Sequence, residues 1–190
     1  MSTPDRRTLI ADTAIATLAT AGLRGLTHRA IDTAAGLPAG STSYYFRTRT
    51  ALIGACCARI AELDLDDTGS SRPASREEAA AMIGAVLHHW LTTGRERQLA
   101  RYELSLEAAR TPELAAALHR AGQAARARAA AILAALGAAR PQEASELLVA
   151  WTEGVLFDRL AGAMARTRPA PDPAELTALA RRMLDAALAD

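Results

Sequence analysis

Residues 34–49 read AAGLPAGSTSYYFRTR. A buried segment would not carry three hydroxyls in a row (Ser41, Thr42, Ser43), and an ordinary surface loop would not carry three aromatics in a chain that is only 4% aromatic. The neighbouring residues explain both. Thr27 is a helix cap, and the eight residues 27–34 carry Ile31 on an apolar face. Gly36 then supplies a tight turn, because glycine accepts a left-handed backbone without steric cost. A second short helix is expected over 39–45. Helix, glycine turn and short helix are the layout of a helix-turn-helix, with Ile31, Ala35 and Leu37 fixing the two helices against each other. The second helix of such a unit lies in the DNA major groove with its first residues against base edges. Small residues there let the backbone approach, and hydroxyls reach bases or phosphates. The tyrosines that follow reach the groove wall, and Arg49, just past the cap Thr48, is placed to pair with the DNA backbone.

Length and composition bound the rest. The chain has 190 residues, half of them hydrophobic, which is enough for a small domain and a larger one. All 22 basic residues are arginine, alanine makes up about a quarter of the chain, and both read as codon bias; the alanine favours helix. Net charge is +1, but it is uneven: residues 1–60 hold seven arginines against three aspartates, and the remainder holds fifteen against eighteen acids. A basic first third points to a polyanion partner for that third alone. No apolar run is long enough for a membrane span and the N-terminus does not read as a signal peptide. The only two cysteines, Cys56 and Cys57, are adjacent and do not form a disulfide framework, so a cytoplasmic location is expected.

The region around the opening stretch resembles the TetR/AcrR family of bacterial transcriptional repressors across roughly residues 5–55. The matching residues are Gly25, Thr27, Ile31, Ala35-Gly36-Leu37-Pro38, Gly40-Ser41, Tyr44-Tyr45-Phe46, and Thr48-Arg49 with Leu52, with no gap from Ala30 to Ala51. The resemblance implies DNA contacts by Thr27, His28, Arg29, Ser41, Ser43, Tyr44, Tyr45 and Arg49, with Phe46 locking the second helix to the core. Several positions depart from the family pattern. Asp32 stands where alanine is usual, and it either points outward or caps locally. Thr42 and Ser43 stand where leucine and tyrosine are usual, and Tyr45 replaces histidine.

Helix punctuation continues along the chain. Thr3-Pro4 opens a first helix, with Ile10, Ala14 and Leu18 on one face. Thr48 opens a fourth, carrying Leu52, Cys56, Arg59, Ile60 and Leu63. Asp64–Ala74 is acidic, contains Gly, Ser and Pro, and reads as a linker, giving an N-terminal helix-turn-helix domain over 1–63 and a larger helical domain over 75–190. Ser75-Arg76-Glu77-Glu78 is a capping box. Further helices are expected over 95–109, from Thr111-Pro112 to Gly137, from Pro141 to about Arg166, and from Asp172-Pro173 onward. The expected fold is all-α with about nine helices.

Within 75–190, Trp90, Tyr102, Trp151 and Phe157 are the large aromatics, and Leu99, Tyr102 and Leu106 mark the expected buried face of the sixth helix, bordered by Glu103. Trp90, Tyr102, Glu103, Leu106, Trp151 and Phe157 therefore serve either as core or as the lining of a small-molecule pocket, and the resemblance implies such a pocket among helices five to eight. Leu147, Ala150, Gly154 and Ala161 form a line of small residues on helix eight. Leu176, Leu179 and Met183 lie along one face of helix nine. The two faces serve either intramolecular packing or a homodimer. His88 and His89 are adjacent and lack metal-ligand spacing. No nucleophile constellation or phosphate loop stands out, so no catalytic residue, metal or cofactor is expected. The expectation is a dimeric, ligand-responsive repressor that binds a palindromic double-stranded operator and is not membrane-bound. A helical interaction module without DNA binding is the competing class.

Overall fold

The computed structural model describes residues 5–69 and 72–189. Nine helices and no strand are found among them: α1 (Arg6–Gly25), α2 (His28–Ala34), α3 (Ser41–Tyr45), α4 (Arg49–Asp67), α5 (Arg76–Leu91), α6 (Arg95–Ala108), α7 (Pro112–Ala135), α8 (Pro141–Leu160) and α9 (Pro173–Ala187). The all-helical expectation holds. The Thr3-Pro4 start lies outside the described residues.

The caps explain where the elements begin. The Thr27 hydroxyl accepts from the Ala30 amide, Ser75 from Glu78 and Asp172 from Glu175, each satisfying an amide that the first helical turn leaves unpaired. Glu78 returns the bond to the Ala74 amide at 2.7 Å, so the capping box closes one residue earlier than its sequence signature indicates. Thr48 caps α4 through the Ala51 amide.

The chain packs as two compact units that interleave along the sequence. The first holds the described residues up to Asp64 together with 96–121, and the second holds 65–95 together with 122–189. The linker composition of 64–74 marks the end of a helix; α4 continues through its acidic start to Asp67, and long-range packing decides the rest. The first unit has a core of Ile10, Ala14 and Leu18 from α1, Ile31 from α2, Phe46, and Leu52, Ile53, Cys56 and Ile60 from α4, joined by Ala100, Leu104 and Leu114. Arg59 ties α4 to α1 through Asp12 at 2.8 Å and also bonds Glu62 at 2.9 Å. The Asp12 bond, set against burial, holds the guanidinium well above its ordinary range. On α6 the buried face is Ala100, Leu104 and Ala108, spaced by four. Leu106 stands two residues from Leu104, about 200° around the helix, and is exposed, which corrects the expected stripe.

In the second unit α9 packs along α5. Ala79 and Ala80 meet Ala180, Met183, Leu184 and Ala187, with Leu133, Ala144 and Leu148 completing the core. A side chain at Gly84 would meet the Thr177 backbone nitrogen and Cα at 2.8 Å, so the glycine permits this crossing. Arg159 bonds Glu175 at 2.5 Å, linking α8 to α9. That bond is the main reason the Glu175 carboxyl lies below its ordinary range, with burial opposing. Helix α8 ends at Leu160, so Ala161 is its C-cap and the small-residue line on the helix stops at Gly154.

Candidate nucleic-acid interface

Helix α2 ends in a glycine-terminated cap. The Leu37 amide donates to the Asp32 carbonyl at 2.8 Å and the Gly36 amide to Thr33 at 3.3 Å, with Gly36 at φ +64°. This is the Schellman pattern, and it turns the chain directly toward α3. Gly40, at φ +89°, makes the second bend and is the N-cap of α3. Pro38, Ala39 and Gly40 therefore form a turn, and α3 begins two residues later than the sequence indicates.

Asp32 settles the question its departure raises: it points inward. It is only 5% exposed. One carboxylate oxygen accepts from the Gly40 amide at 2.7 Å. The other accepts from the Thr42 amide at 2.7 Å and from the Thr42 hydroxyl at 2.6 Å. Asp32 is thus a cap supplied from α2 to α3. Burial opposes ionisation, but the Thr42 hydroxyl and the two amides outweigh it, and the carboxyl sits below its ordinary value.

The far end of α3 is fixed by aromatics. Phe46 is buried in the first-unit core, and Tyr45 packs against it. The Arg7 guanidinium lies over both rings, 5.7 Å from Tyr45 and 5.4 Å from Phe46. Tyr44 meets Tyr45 edge to face with centroids 5.1 Å apart. His28 Nε2 lies 2.7 Å from the Phe46 carbonyl. A carbonyl only accepts, so this nitrogen carries the proton and the ring braces the end of α3.

The expected DNA contacts divide on this geometry. Ser43 and Tyr44 are on the outer face of α3, with Tyr44 78% exposed, and Thr27 and Arg29 are exposed on α2. Ser41 is partly buried and its hydroxyl donates to the Pro38 carbonyl at 2.6 Å. His28 and Tyr45 face inward as described. Arg49 donates to the Leu26 carbonyl at 2.7 Å and to the Leu23 carbonyl, tying the start of α4 to the end of α1. Sequence reasoning passed over Arg47 as a candidate contact. It is exposed, directly after Phe46, and its guanidinium makes no hydrogen bond or ion pair among the described residues. The available signal was an arginine between the aromatic triplet and the next helix cap.

The six expected pocket residues do not gather in one unit. Tyr102, Glu103 and Leu106 belong to the first, and Trp90, Trp151 and Phe157 to the second. Trp90 donates its indole N–H to Asp67 at 2.7 Å, and the Arg101 guanidinium stacks over the Tyr102 ring at 4.8 Å. Glu103 is exposed, with its carboxylate beside Gly22. Phe157 and Leu106 are exposed. Of the six, only Trp151 lines the open groove of about 490 Å³ on α8 and α9, whose walls include Ala150, Gly154, Leu179, Arg182 and Met183. The four dimer-face residues that remain on α8 and α9 after a further correction, Ala150, Gly154, Leu179 and Met183, therefore all border this groove. That correction concerns Leu176, which is fully buried within its own unit and presents no surface. Met183 is mostly buried in the α5–α9 core and also lines the groove. Cys56 and Cys57 are core residues. Burial pushes the first thiol up to about 12 and the second to about 11. No cluster of three metal-binding side chains, and no helix long and apolar enough to cross a membrane, occurs among the described residues.

Comparison with known proteins agrees with this arrangement. Residues 74–189 match the family model described as the tetracyclin repressor-like, C-terminal domain. A putative TetR-family transcriptional regulator from Rhodococcus superposes with a TM-score of 0.79, covering 98% of this chain and 100% of that one; at 19% identity that likeness shows the fold. A TetR-family member from Streptomyces coelicolor is 28% identical over 95% of this chain and 98% of its own, with a TM-score of 0.71. The multidrug binding protein EbrR, complexed with malachite green, is also 28% identical, over 98% of this chain and 100% of its own, with a TM-score of 0.71. The chain matches none of the curated proteins by sequence. With the helix-turn-helix on α2 and α3 and the family model spanning most of the remainder, the chain belongs to the TetR family of DNA-binding transcriptional regulators.

Proposed function

We propose that the protein is a cytoplasmic repressor that binds a palindromic operator as a homodimer and is released by a small molecule, with the DNA-reading residues in 1–63 and the ligand and dimer surfaces in 75–190. The observation that carries the DNA reading is the division of α3 into two faces. Thr42, Tyr45 and Phe46 anchor it, leaving Ser43 and Tyr44 outward between the exposed arginines 29 and 47. Hydroxyl and phenol groups suit base edges and phosphates, and guanidinium groups suit phosphates. A five-residue recognition helix reads few base pairs, so specificity needs two copies docked on half-sites about 34–36 Å apart. The groove bordered by Ala150, Gly154 and Leu179 supports a close approach of a second copy at α8 and α9.

Induction is supported by the EbrR likeness, since that protein is seen with aromatic dyes. A ligand that favours a conformation unable to dock on both half-sites must be bound less tightly by the operator complex, by the same factor. A coupling of about 1–3 kcal/mol is ordinary for such a switch. The test has two stages. The full chain is used to select duplexes from a random library, and the enriched sequence is expected to be an inverted repeat. Ethidium and malachite green are then titrated into free and DNA-bound protein. Equal dye affinity in both states would remove induction by those dyes. An enriched site without symmetry would remove the dimeric reading.

A further inference from the structure

We propose that Asp32 and Thr42 form a matched polar latch that sets the rotation of the recognition helix, and with it the discrimination between DNA sequences. Both residues depart from the family pattern, which places alanine and leucine at these positions, and the structure brings the two departures into direct contact. The Thr42 hydroxyl donates to Asp32 at 2.6 Å. A lone apolar-to-acid change in this buried place would be costly, because an unpaired carboxylate loses its water without replacement. A threonine facing the alanine of the usual pattern would bury a hydroxyl with no such partner. Together the two residues satisfy each other.

The geometry gives the latch a role beyond holding the helix in place. Helix α3 has five residues, too few to persist on backbone bonds alone. An alanine–leucine contact would hold it by packing, which is non-directional. Here both carboxylate oxygens are engaged, one by the Gly40 amide and one by the amide and hydroxyl of Thr42. Hydrogen bonds are directional, so this arrangement fixes α3 about its own axis. That rotation decides where Ser43 and Tyr44 point. The bond to Gly40 occupies an exposed amide at the start of α3 that could otherwise meet a DNA phosphate, and Asp32 places a negative charge there. The latch therefore contributes to base reading and not to general attraction for DNA; it acts through Ser43 and Tyr44 and is a positioning device. The inference rests on the DNA reading proposed above.

The full chain and variants are compared on two probes: a duplex enriched from a random library by the wild type, and a random-sequence duplex of equal length, at one salt concentration. Thr42→Val removes the hydroxyl without changing charge. It is expected to lose at least tenfold in preference for the enriched duplex, with random-duplex affinity and salt slope unchanged. Thr42→Ser restores the hydroxyl and is expected to recover the preference. Asp32→Asn is expected to lose preference while binding random DNA slightly more tightly, since a negative charge is gone. If Thr42→Val does not retain its helical circular dichroism, the double variant Asp32→Ala/Thr42→Leu, which installs the family's usual pair, replaces it. The double variant is expected to fold and to discriminate better than Thr42→Leu alone. A Thr42→Val protein with wild-type preference, or a double variant no better than Thr42→Leu, would overturn the latch. If the wild type enriches no duplex, the DNA reading fails and the latch as a device for it fails with it; enrichment with indifferent variants overturns the latch alone.

Discussion

The recognition unit and the α5–α9 pair solve the same packing problem in opposite ways. Helices α2 and α3 have seven and five residues, and polar groups hold α3: Asp32 at its start, the His28 ring at its end, and the Arg7 guanidinium over its aromatics. Helices α5 and α9, with sixteen and fifteen residues, lie together along alanines and a glycine, and their cross-helix polar pairs, Glu77 with Arg181 and Arg76 with Asp185, are exposed outside that apolar seam. A short helix buries too little apolar area to be fixed by area alone, since burial contributes about 25 cal/mol per Å². Directional bonds do that work and leave the outer face free for a partner. A long pair gains its stability from close approach and tolerates little change in side-chain volume.

The first way to break this contrast is to fill the crossing. Gly84→Val places side-chain atoms against the Thr177 backbone, which cannot move aside as a flexible side chain could. Overpacking of this kind costs about 3 kcal/mol, toward the upper end of the usual range. Both tryptophans, Trp90 and Trp151, lie in the second unit, so the tryptophan fluorescence midpoint in urea reports its unfolding. A substantial fall in that midpoint is expected, and an unchanged midpoint would mean the helices do not cross at Gly84.

Next come the two exposed arginines beside α3. Arg29→Ala and Arg47→Ala are each expected to weaken binding to all duplexes alike and to reduce the salt slope by about one unit. Arg49→Ala behaves differently. Its guanidinium serves the Leu23 and Leu26 carbonyls, so its loss is expected to cost about 1 kcal/mol of first-unit stability, after discounting for its exposure. A stability change without a salt-slope change would confirm Arg49 as an internal brace, and a salt-slope change would return it to the DNA surface.

These differences show what the sequence discloses. Helix starts were legible at Thr27, Thr48, Ser75 and Asp172, because a cap acts within four residues of its partner. The helix-turn-helix was legible for the same local reason. What Asp32 and Arg49 do was not, because their partners lie ten and twenty-six residues away and depend on how α2 and α1 pack. Periodicity revealed that α9 has one apolar face but not that Leu176 would be covered by its own unit. On α6, Leu99, Tyr102 and Leu106 drew attention away from the buried line of Ala100, Leu104 and Ala108, although the alanines on that line are the small residues that permit helices to approach. The interleaved units were the least legible feature, since no local signal records which distant helix completes a core.

The Asp32 cap can be tested by acid. Its folded-state pKa is depressed, so its contribution is fully present above the unfolded value of about 3.9 and is lost as pH falls through the lower folded value. Asp32→Asn leaves an amide that cannot accept at both oxygen positions, so it is expected to be about 1 kcal/mol less stable than wild type at neutral pH. The gap is expected to close below the carboxylate range. A gap that persists unchanged to the lowest pH at which both proteins fold would show that shape, and not ionisation, is what the site requires.

The smallest effect is expected at the cysteines, and it sharpens the contrast by showing what a buried polar atom does without a partner. Asp32 keeps its charge indoors because three donors surround it. Cys56 has no comparable set. Burial raises its pKa first, the neighbouring Cys57 adds to this, and the result is about 12; Cys57, with burial again the leading cause, reaches about 11. The thiolate is the reactive form, and burial keeps both thiols overwhelmingly protonated at pH 8 in the native state. Iodoacetamide is therefore expected to leave the native protein unmodified over hours and to add two groups once urea opens the core, as read by intact mass. A mild oxidant is expected to leave DNA binding unchanged. Cys56→Ala, which removes one buried sulfur, is expected to cost about 1 kcal/mol as a small cavity and to leave DNA preference intact. Rapid labelling of the native protein would mean that the α1–α4 core opens far more often than its packing implies, and in that case the recognition helix would rest on a mobile base.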